Sequence, residues 1–393
     1  MQFNPNFIST TPDIDRLLAS NAVVAVGISG GRDSQACLLA VNQHLNAIGH
    51  TGPRVAVHAD LGRAEWPQSL PKCQEMADFL GWELIVVRGG NGDMMDRWIT
   101  RWRNNVRRYA ELECVQLILP WSTASMRFCT SERKTKPVAS ALKKRFPGQN
   151  VINVIGVRRE ESASRAKQPV SKPDPNVVSR GMEGATWNAI IDMKRTEVTS
   201  YIEGSGLTLH PGYTEHGMTR ISCAFCIMAS AADLAASATY EGNHAIYREM
   251  VDLEVRSTFS LQSGKWLGDV RPDLLAPEMV FALEEAKRKA ELRQAAEARI
   301  PENMLYVKGW PVAVPTWAEA SLLAEIRSSV AEIVGLQINF RDPGSIIDRY
   351  EELMELAASK SKSRDAVDDH DDDAPGRLIP AKQLDSSCSA WPF

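Results

Sequence analysis

Six consecutive residues, Ser29-Gly30-Gly31-Arg32-Asp33-Ser34, have the types and the order needed to hold a phosphate group. They follow an apolar run, Val23-Val24-Ala25-Val26-Gly27-Ile28, that reads as a buried strand, and they open a helical pattern from about Ser34 to Ile48. Glycines let the backbone turn tightly and bring its N–H groups close to an anion. The helix N-terminus that follows adds partial positive charge and unpaired donors. The Ser29 and Ser34 hydroxyls supply further hydrogen bonds to phosphate oxygens, and Asp33 is expected to cap the helix or to position a metal ion. No Gly-Lys-Ser/Thr follows, so this is not a Walker loop.

Two other groups of residues could do chemistry. Cys223-Ala224-Phe225-Cys226 has a spacing that, in a reducing compartment, suggests metal, cluster or redox work more than a structural disulfide. Seven cysteines, an odd number scattered through a long chain, point to such a compartment. Cys37 and Cys73 fall in helical patterns and read as packing residues. The second group is basic. A helix expected over Asp96 to Tyr109 puts Trp98, Trp102, Val106 and Tyr109 on a core face. Arg97, Arg101, Arg103, Arg107 and Arg108 are then expected to form an exposed stripe, with Lys143-Lys144-Arg145 as a second basic cluster. DNA could bind along this helix (97–108) through its phosphate backbone, and plain solvation of a helix face is the alternative.

The elements that must position these residues alternate along the first 160 positions. Arg54-Val55-Ala56-Val57-His58, Glu83-Leu84-Ile85-Val86-Val87 and Val151-Ile152-Asn153-Val154-Ile155-Gly156 read as further strands, and Pro67 to Leu80 as a second helix. Continuous apolar strands separated by helices imply an α/β fold, a doubly wound and mostly parallel sheet. Lys167 to Glu183, with its prolines, reads as a long loop. Glu278 to Arg299, Thr316 to Val334 and Ser345 to Ala358 read as helices of a C-terminal extension. The expected division is a nucleotide-binding domain over 1–205, a mainly helical region carrying the cysteine pair over 206–360, and an acidic, disordered tail over 361–393.

Composition is that of a globular protein, 44% hydrophobic and 24% charged. The net charge of −4 does not mark a nucleic-acid binder, although much of the acidity lies in the tail. No apolar run approaches the roughly 20 residues of a membrane span, and Met1-Gln2-Phe3-Asn4-Pro5 reads as a cytoplasmic start.

Ser-Gly-Gly-Xaa-Asp-Ser resembles the motif of PP-loop ATP pyrophosphatases of the adenine nucleotide α-hydrolase class. Further segments narrow the resemblance to the phosphoadenosine phosphosulfate (PAPS) reductase-like family. They are Ala59-Asp60-Leu61-Gly62 with Pro67, the run from Cys129 to Pro137, the run from Gly156 to Arg165, and His210-Pro211-Gly212-Tyr213 with Gly217, Arg220, Cys223 and Cys226. Together they cover roughly residues 20 to 230.

The resemblance implies that Asp60, Arg133, Lys134, Lys136, Arg158 and Arg165 surround the nucleotide with the phosphate loop, and that Glu161 orients one of the arginines. Asp33, Ser34, Lys134, Arg158 and Arg165 are the implied catalytic residues. It further implies that Cys129, Cys223 and Cys226 hold a [4Fe–4S] cluster. The cluster-binding reductases have a Cys-Cys pair where Phe128-Cys129 stands here, which leaves three ligands and one open iron. Zinc, a redox-active Cys223–Cys226 pair with Cys129 as a catalytic thiol, or three unrelated thiols are the alternatives. Cys388 lies in Ser386-Ser387-Cys388-Ser389, without the Glu-Cys-Gly motif of true PAPS reductases, and reads as a tail thiol.

An intact phosphate loop favours ATP, with Mg²⁺, over a substrate that arrives already activated. Within the class the chain is similar to the ATP pyrophosphatase components of DNA phosphorothioation systems, the DndC/SspD group. That implies a cysteine desulfurase as sulfur donor and other DNA-modification subunits as partners, and it leaves a homodimer open. The alternatives are a sulfonucleotide reductase using thioredoxin or glutathione, and a nucleotide- or cluster-sensing regulator without turnover.

Overall fold

A computed structural model describes residues 7–90 and 92–365. The acidic run from Asp368 and the tail thiol Cys388 lie outside the described residues. Val23–Ile28 (β1), Arg54–Asp60 (β2), Glu83–Arg88 (β3), Val151–Ile155 (β4), Ser171–Pro173 (β5) and Gly184–Trp187 (β6) form one six-stranded sheet in the order β3-β2-β1-β4-β6-β5. Every pair is parallel except β5 with β6.

Alternation along β1 shows why the sheet is covered on both faces. Val24, Val26 and Ile28 enter one core cluster, while Val23 and Ala25 enter another on the opposite face. The sheet is the doubly wound, mostly parallel α/β arrangement that the strand–helix alternation implied.

The helices in chain order are α1 (Pro12–Ala19), α2 (Arg32–Ala47), α3 (Ser69–Leu80), α4 (Met94–Ala110), α5 (Phe128–Thr130), α6 (Lys136–Arg145), α7 (Ala163–Ala166), α8 (Arg195–Glu203), α9 (Pro211–Thr214), α10 (Ala231–Ser237), α11 (His244–Ser257), α12 (Pro277–Glu297), α13 (Trp317–Val334) and α14 (Pro343–Asp365). Side chains of α1, α2, α3 and α8 fill the first core, and those of α6 the second. The last four helices pack in sequence, each on the next. Among the described residues no helix is long and apolar enough to cross a membrane.

Three local expectations are corrected. The stretch Lys167 to Glu183 is not one loop, since β5 lies within it and pairs antiparallel with β6, ending in Pro173 at the sheet edge where a missing N–H costs no ladder bond. The final helix is longer than Ser345 to Ala358. The arginines of α4 form the expected exposed stripe only in part: Arg103 and Arg107 are exposed, whereas Arg97, Arg101 and Arg108 are half-buried. Arg97 makes a two-pronged pair with Glu132 (2.6 and 3.0 Å), Arg101 donates to the Leu119 carbonyl (3.0 Å), and Arg107 is held by Glu113 at 3.1 and 3.0 Å. Carboxylates and carbonyls brought in by the fold compete for guanidinium forks, and here they win.

The helical extension shares its core with the α/β part. Trp98, Trp102 and Tyr109 of α4 lie in one cluster with residues of α11, α12, α13 and α14, so the hydrophobic core crosses the expected boundary at residue 205. Arg327 of α13 is fully buried and donates to the Tyr109 carbonyl at 2.8 Å and the Asn339 carbonyl at 3.0 Å. A guanidinium at the C-terminus of α4 satisfies carbonyls that the helix leaves unpaired and complements its dipole.

Glu254 of α11 is also fully buried, and its carboxylate accepts from the amides of Leu261 (2.6 Å), Leu267 (2.8 Å) and Gly268 (3.1 Å). Burial pushes its carboxyl up to about 7, against the pull of those three donors. Glu254→Ala would strand three buried amides, and a loss of roughly 3 kcal/mol is expected in denaturant unfolding. A loss below about 1 kcal/mol would show that water or a shifted loop replaces the carboxylate.

Candidate functional site

The phosphate loop leaves the C-terminal end of β1, beside the gap where the chain order reverses between β1 and β4. Ligands bind at such switch points in open α/β sheets. Gly30 has φ +73°, in the left-handed region, and a Cβ there would lie 3.2 Å from both His210 Cδ2 and the Ser69 carbonyl oxygen. The positive φ favours glycine here, and the close neighbours leave little room for a side chain. The Ser29 amide donates to Ser34 Oγ at 3.2 Å, and Ser34 Oγ donates to the Gly31 carbonyl at 2.8 Å, which closes the loop on itself.

Helix α2 begins at Arg32 with Gly31 as its N-cap, so Asp33 does not cap it. Instead Asp33 Oδ1 accepts from Arg158 Nε at 2.7 Å. Arg158 is buried, follows β4, and donates through Nη1 to Glu160 at 2.8 Å. Glu161 Oε2 accepts from the Arg158 amide at 2.8 Å, and the other oxygen of Glu161 pairs with Arg165. The Gly156-to-Arg165 segment thus places the Arg158 guanidinium against the loop, while Arg165 is held by Glu161.

The remaining basic residues separate. Arg133 is buried and donates to the carbonyls of Gly90 (2.6 Å) and Gly92 (2.8 Å), organising the turn after β3. Lys136 is exposed and Lys134 half-buried, and among the described residues neither has a carboxylate partner. Asp60, at the end of β2, accepts from the Gly62 amide (2.7 Å) and pairs with Arg88 (2.6 Å).

The three motif cysteines are free, half-buried thiols. Burial pushes the Cys223 thiol up to about 12, and the neighbouring Cys226 and Cys129 add to this, whereas the Lys134 ammonium opposes it. The three sulfurs and the lysine therefore share one neighbourhood. The Met228 amide points to Cys226 Sγ at 3.5 Å. Even so, among the described residues no three His, Cys, Asp or Glu side chains converge as a metal site.

Several side chains that sequence reasoning passed over pack around and beneath the loop. The Tyr213 hydroxyl accepts from the amides of Arg32 (3.3 Å) and Ile221 (3.1 Å), and the Arg32 guanidinium lies 4.1 Å over its ring. His58 of β2 is buried, with Nδ1 3.1 Å from the Ile28 carbonyl oxygen and Nε2 3.2 Å from Glu65 Oε2. Burial opposes charge on this ring, but contacts with Cys73 and Glu65 outweigh it and raise the pKa to about 11. Cys73, expected to be inert packing, lies 3.4 Å from His58 Nδ1. Beside Asp60, a cleft of about 340 Å³ opens between α11 and the segment Arg63 to Pro67, with Trp66 and Glu249 on its walls.

His210 is fully buried beneath Gly30; its Nδ1 accepts from the Gly212 amide at 2.9 Å. Burial, helped by Lys72 and His216, lowers its pKa to about 4. The fold holds the neutral ring, so its contribution is full above the unfolded value near pH 6.5. It is lost as pH falls from there towards 4, at up to about 1.4 kcal/mol per pH unit. His210→Asn keeps an acceptor for Gly212 and removes the titration. The stability gap between the two proteins should be level above about pH 7 and shrink below about pH 6. Unfolding curves giving a constant gap would reject a neutral His210.

Comparison with known proteins agrees with this arrangement of segments. The phosphoadenosine phosphosulfate reductase domain matches residues 23–229, from the first residue of β1 to just beyond the second cysteine of the pair. Among solved structures, the phosphoadenylyl-sulfate (PAPS) reductase from Candida auris in its phosphate complex is similar at 15% identity and a TM-score of 0.33, covering 55% of this chain and 97% of that one. No curated protein sequence matches. Since the matched domain spans more than half of the chain and holds the loop, the Arg158 segment and the three cysteines, the chain belongs to the phosphoadenosine phosphosulfate reductase domain family, enzymes of sulfonucleotides and related adenine nucleotides.

Proposed function

We propose that this chain is an ATP pyrophosphatase that adenylates an acceptor oxygen for sulfur transfer, with a DNA phosphate oxygen as the acceptor. The observation that carries the reading is the complete phosphate loop at the end of β1, closed by Ser34 and backed by the Arg158–Asp33 pair. The acceptor oxygen attacks the α-phosphorus of ATP, the bond to the bridging oxygen breaks, and pyrophosphate leaves. The terminal sulfur of a persulfide supplied by a cysteine desulfurase then attacks the adenylated acceptor, and AMP departs with the original oxygen. A second thiol attacks the inner sulfur of the resulting P–S–S bond, leaving phosphorothioate and a disulfide that a thiol reductant returns to the reduced state.

Ser29, Gly30, Gly31 and Ser34 hold the leaving phosphates, while Arg158, Arg165, Lys134 and Lys136 supply positive charge around them. Magnesium, when bound with ATP, neutralises charge on the departing pyrophosphate. The thiols of Cys129, Cys223 and Cys226, beside Lys134, suit receipt of the sulfur, and no step here depends on a cluster. DNA and the desulfurase are the partners this chemistry requires.

The test is pyrophosphate release from ATP and Mg²⁺ with duplex DNA and the desulfurase present, followed by analysis of the DNA for phosphorothioate. Ser34→Ala removes one hydrogen bond to a charged phosphate and should slow release roughly 10- to 100-fold. Undiminished phosphorothioate in the DNA with Ser34→Ala or Asp33→Ala would sink the proposal.

The family membership itself favours a second reading, a sulfonucleotide reductase. In that case the protein releases sulfite from PAPS or adenylyl sulfate, with thioredoxin or glutathione as reductant, and consumes no ATP.

A further inference from the structure

Beneath the phosphate loop a line of buried contacts leads to the cysteine segment, and no step of the chemistry above uses it. His58 is the register partner of Ile28 across the β1–β2 ladder. Its ring returns to that same residue, with Nδ1 3.1 Å from the Ile28 carbonyl oxygen, immediately before the loop begins. The Cys73 thiol lies 3.4 Å from the same nitrogen and within reach of the Gly30 amide. On the other side of the ring, Nε2 lies 3.2 Å from Glu65 Oε2 as an ion-pair contact without hydrogen-bond alignment, and that oxygen accepts from the Leu61 amide at 3.3 Å. Glu65 in turn forms an antiparallel bridge with Cys223, where the Ala224 amide donates to the Ala64 carbonyl at 2.9 Å.

A histidine that merely filled core space would need one carbonyl partner. This ring instead touches three segments: the end of β1, helix α3 and the stretch at Glu65, which is bridged in turn to Cys223. The ring is buried and lies within 3.4 Å of all three partners, so a shift at one end is passed to its neighbours.

We infer that His58 is a positioning residue that couples the two loops, so that an anion seated at Ser29–Ser34 tightens the Cys223–Cys226 segment. The inference rests on the proposed reading of the loop as a polyphosphate site. It gives that reading an order of events: the cysteine segment is ordered when nucleotide is bound, and sulfur delivery is thereby tied to an activated acceptor. The coupling passes through two side chains, His58 and Glu65, and should fail when either contact is cut.

Amide hydrogen exchange of the full chain, with and without inorganic pyrophosphate and Mg²⁺, reads both ends at once. In the wild type, pyrophosphate should protect the 29–34 segment and also slow exchange at Ala224, by about fivefold or more. His58→Asn keeps a polar group facing Ile28 but cannot reach Glu65, and Glu65→Gln keeps an acceptor for Leu61 while removing the charge. Both variants should retain protection at 29–34 and lose the response at Ala224. Protection at 29–34 without any response at Ala224 in the wild type overturns the coupling alone. So does an undiminished Ala224 response in both variants. Absence of protection at 29–34 in the wild type overturns the polyphosphate reading, and the coupling with it.

Discussion

Arg158→Ala is expected to lower nucleotide turnover about a thousandfold and to weaken pyrophosphate binding with it. The side chain of Arg158 is only 6% exposed and that of its partner Asp33 25% exposed, so the pair is shielded from water on the arginine side. Asp33 lies in the first turn of α2, at the place where an anion would sit. With the guanidinium in place, the carboxylate is neutralised at 2.7 Å and the loop can accept further negative charge. Without it, a partly buried carboxylate stands unpaired beside the phosphates, and removing one partner of such a pair costs about 3–5 kcal/mol when fully buried.

Exposure on the Asp33 side places the effect on folding at the low end of that range, whereas the effect on a bound polyanion is added to it. Arg158→Lys keeps the charge but cannot serve Asp33 and Glu160 together, and should fall between the two. Calorimetric titration with pyrophosphate and thermal unfolding of the three proteins separate the two effects. If Arg158→Ala binds pyrophosphate as tightly as the wild type, the arginine is a packing residue and the phosphates lie elsewhere.

The second large effect is expected from a single methyl group. Gly156 follows β4 directly under the start of α2, and a Cβ at this position would stand 2.8 Å from the Asp33 carbonyl oxygen and 3.1 Å from both Asp33 C and Cys37 Cβ. Two of the three neighbours are backbone atoms and cannot swing aside. Gly156→Ala must therefore push β4 and the first turn of α2 apart. Overpacking of this kind costs about 1–3 kcal/mol in stability.

The larger consequence is for turnover, since a misplacement of the order of 1 Å at a reacting centre can cost about a hundredfold. Pyrophosphate release should fall by about that factor while the protein remains folded. Steady-state kinetics beside far-ultraviolet circular dichroism would show it. A fully active, folded Gly156→Ala protein would mean that β4 and α2 are not locked together and that the loop adjusts freely.

Much of the fold was legible in the residues themselves. Apolar runs such as Val23 to Ile28 must be buried on both faces, and a strand–glycine loop–helix order leaves few ways to do so; the parallel sheet and the place of the phosphate loop follow from local pattern alone. Short elements were not legible. Gly184–Trp187 and Ser171–Pro173 are strands because β4 offers an edge and β6 then offers another, and neither carries a periodic pattern long enough to declare itself.

The side-chain partners were decided only by the tertiary structure. Arg133 and Arg158 share a residue type and a motif context, yet one is held by the carbonyls of Gly90 and Gly92 and the other by Asp33. The arginines of α4 looked free because their acceptors, Glu132 and Leu119, arrive from segments well downstream in the chain. His58 had no signal beyond being a polar residue in a buried strand, and its meaning comes from Ile28, Cys73 and Glu65 meeting around it. Sequence determines which backbone groups must pair and which faces must be buried, because those demands are local. Which charge meets which depends on contacts between residues far apart in the chain, and only the folded structure brings these together.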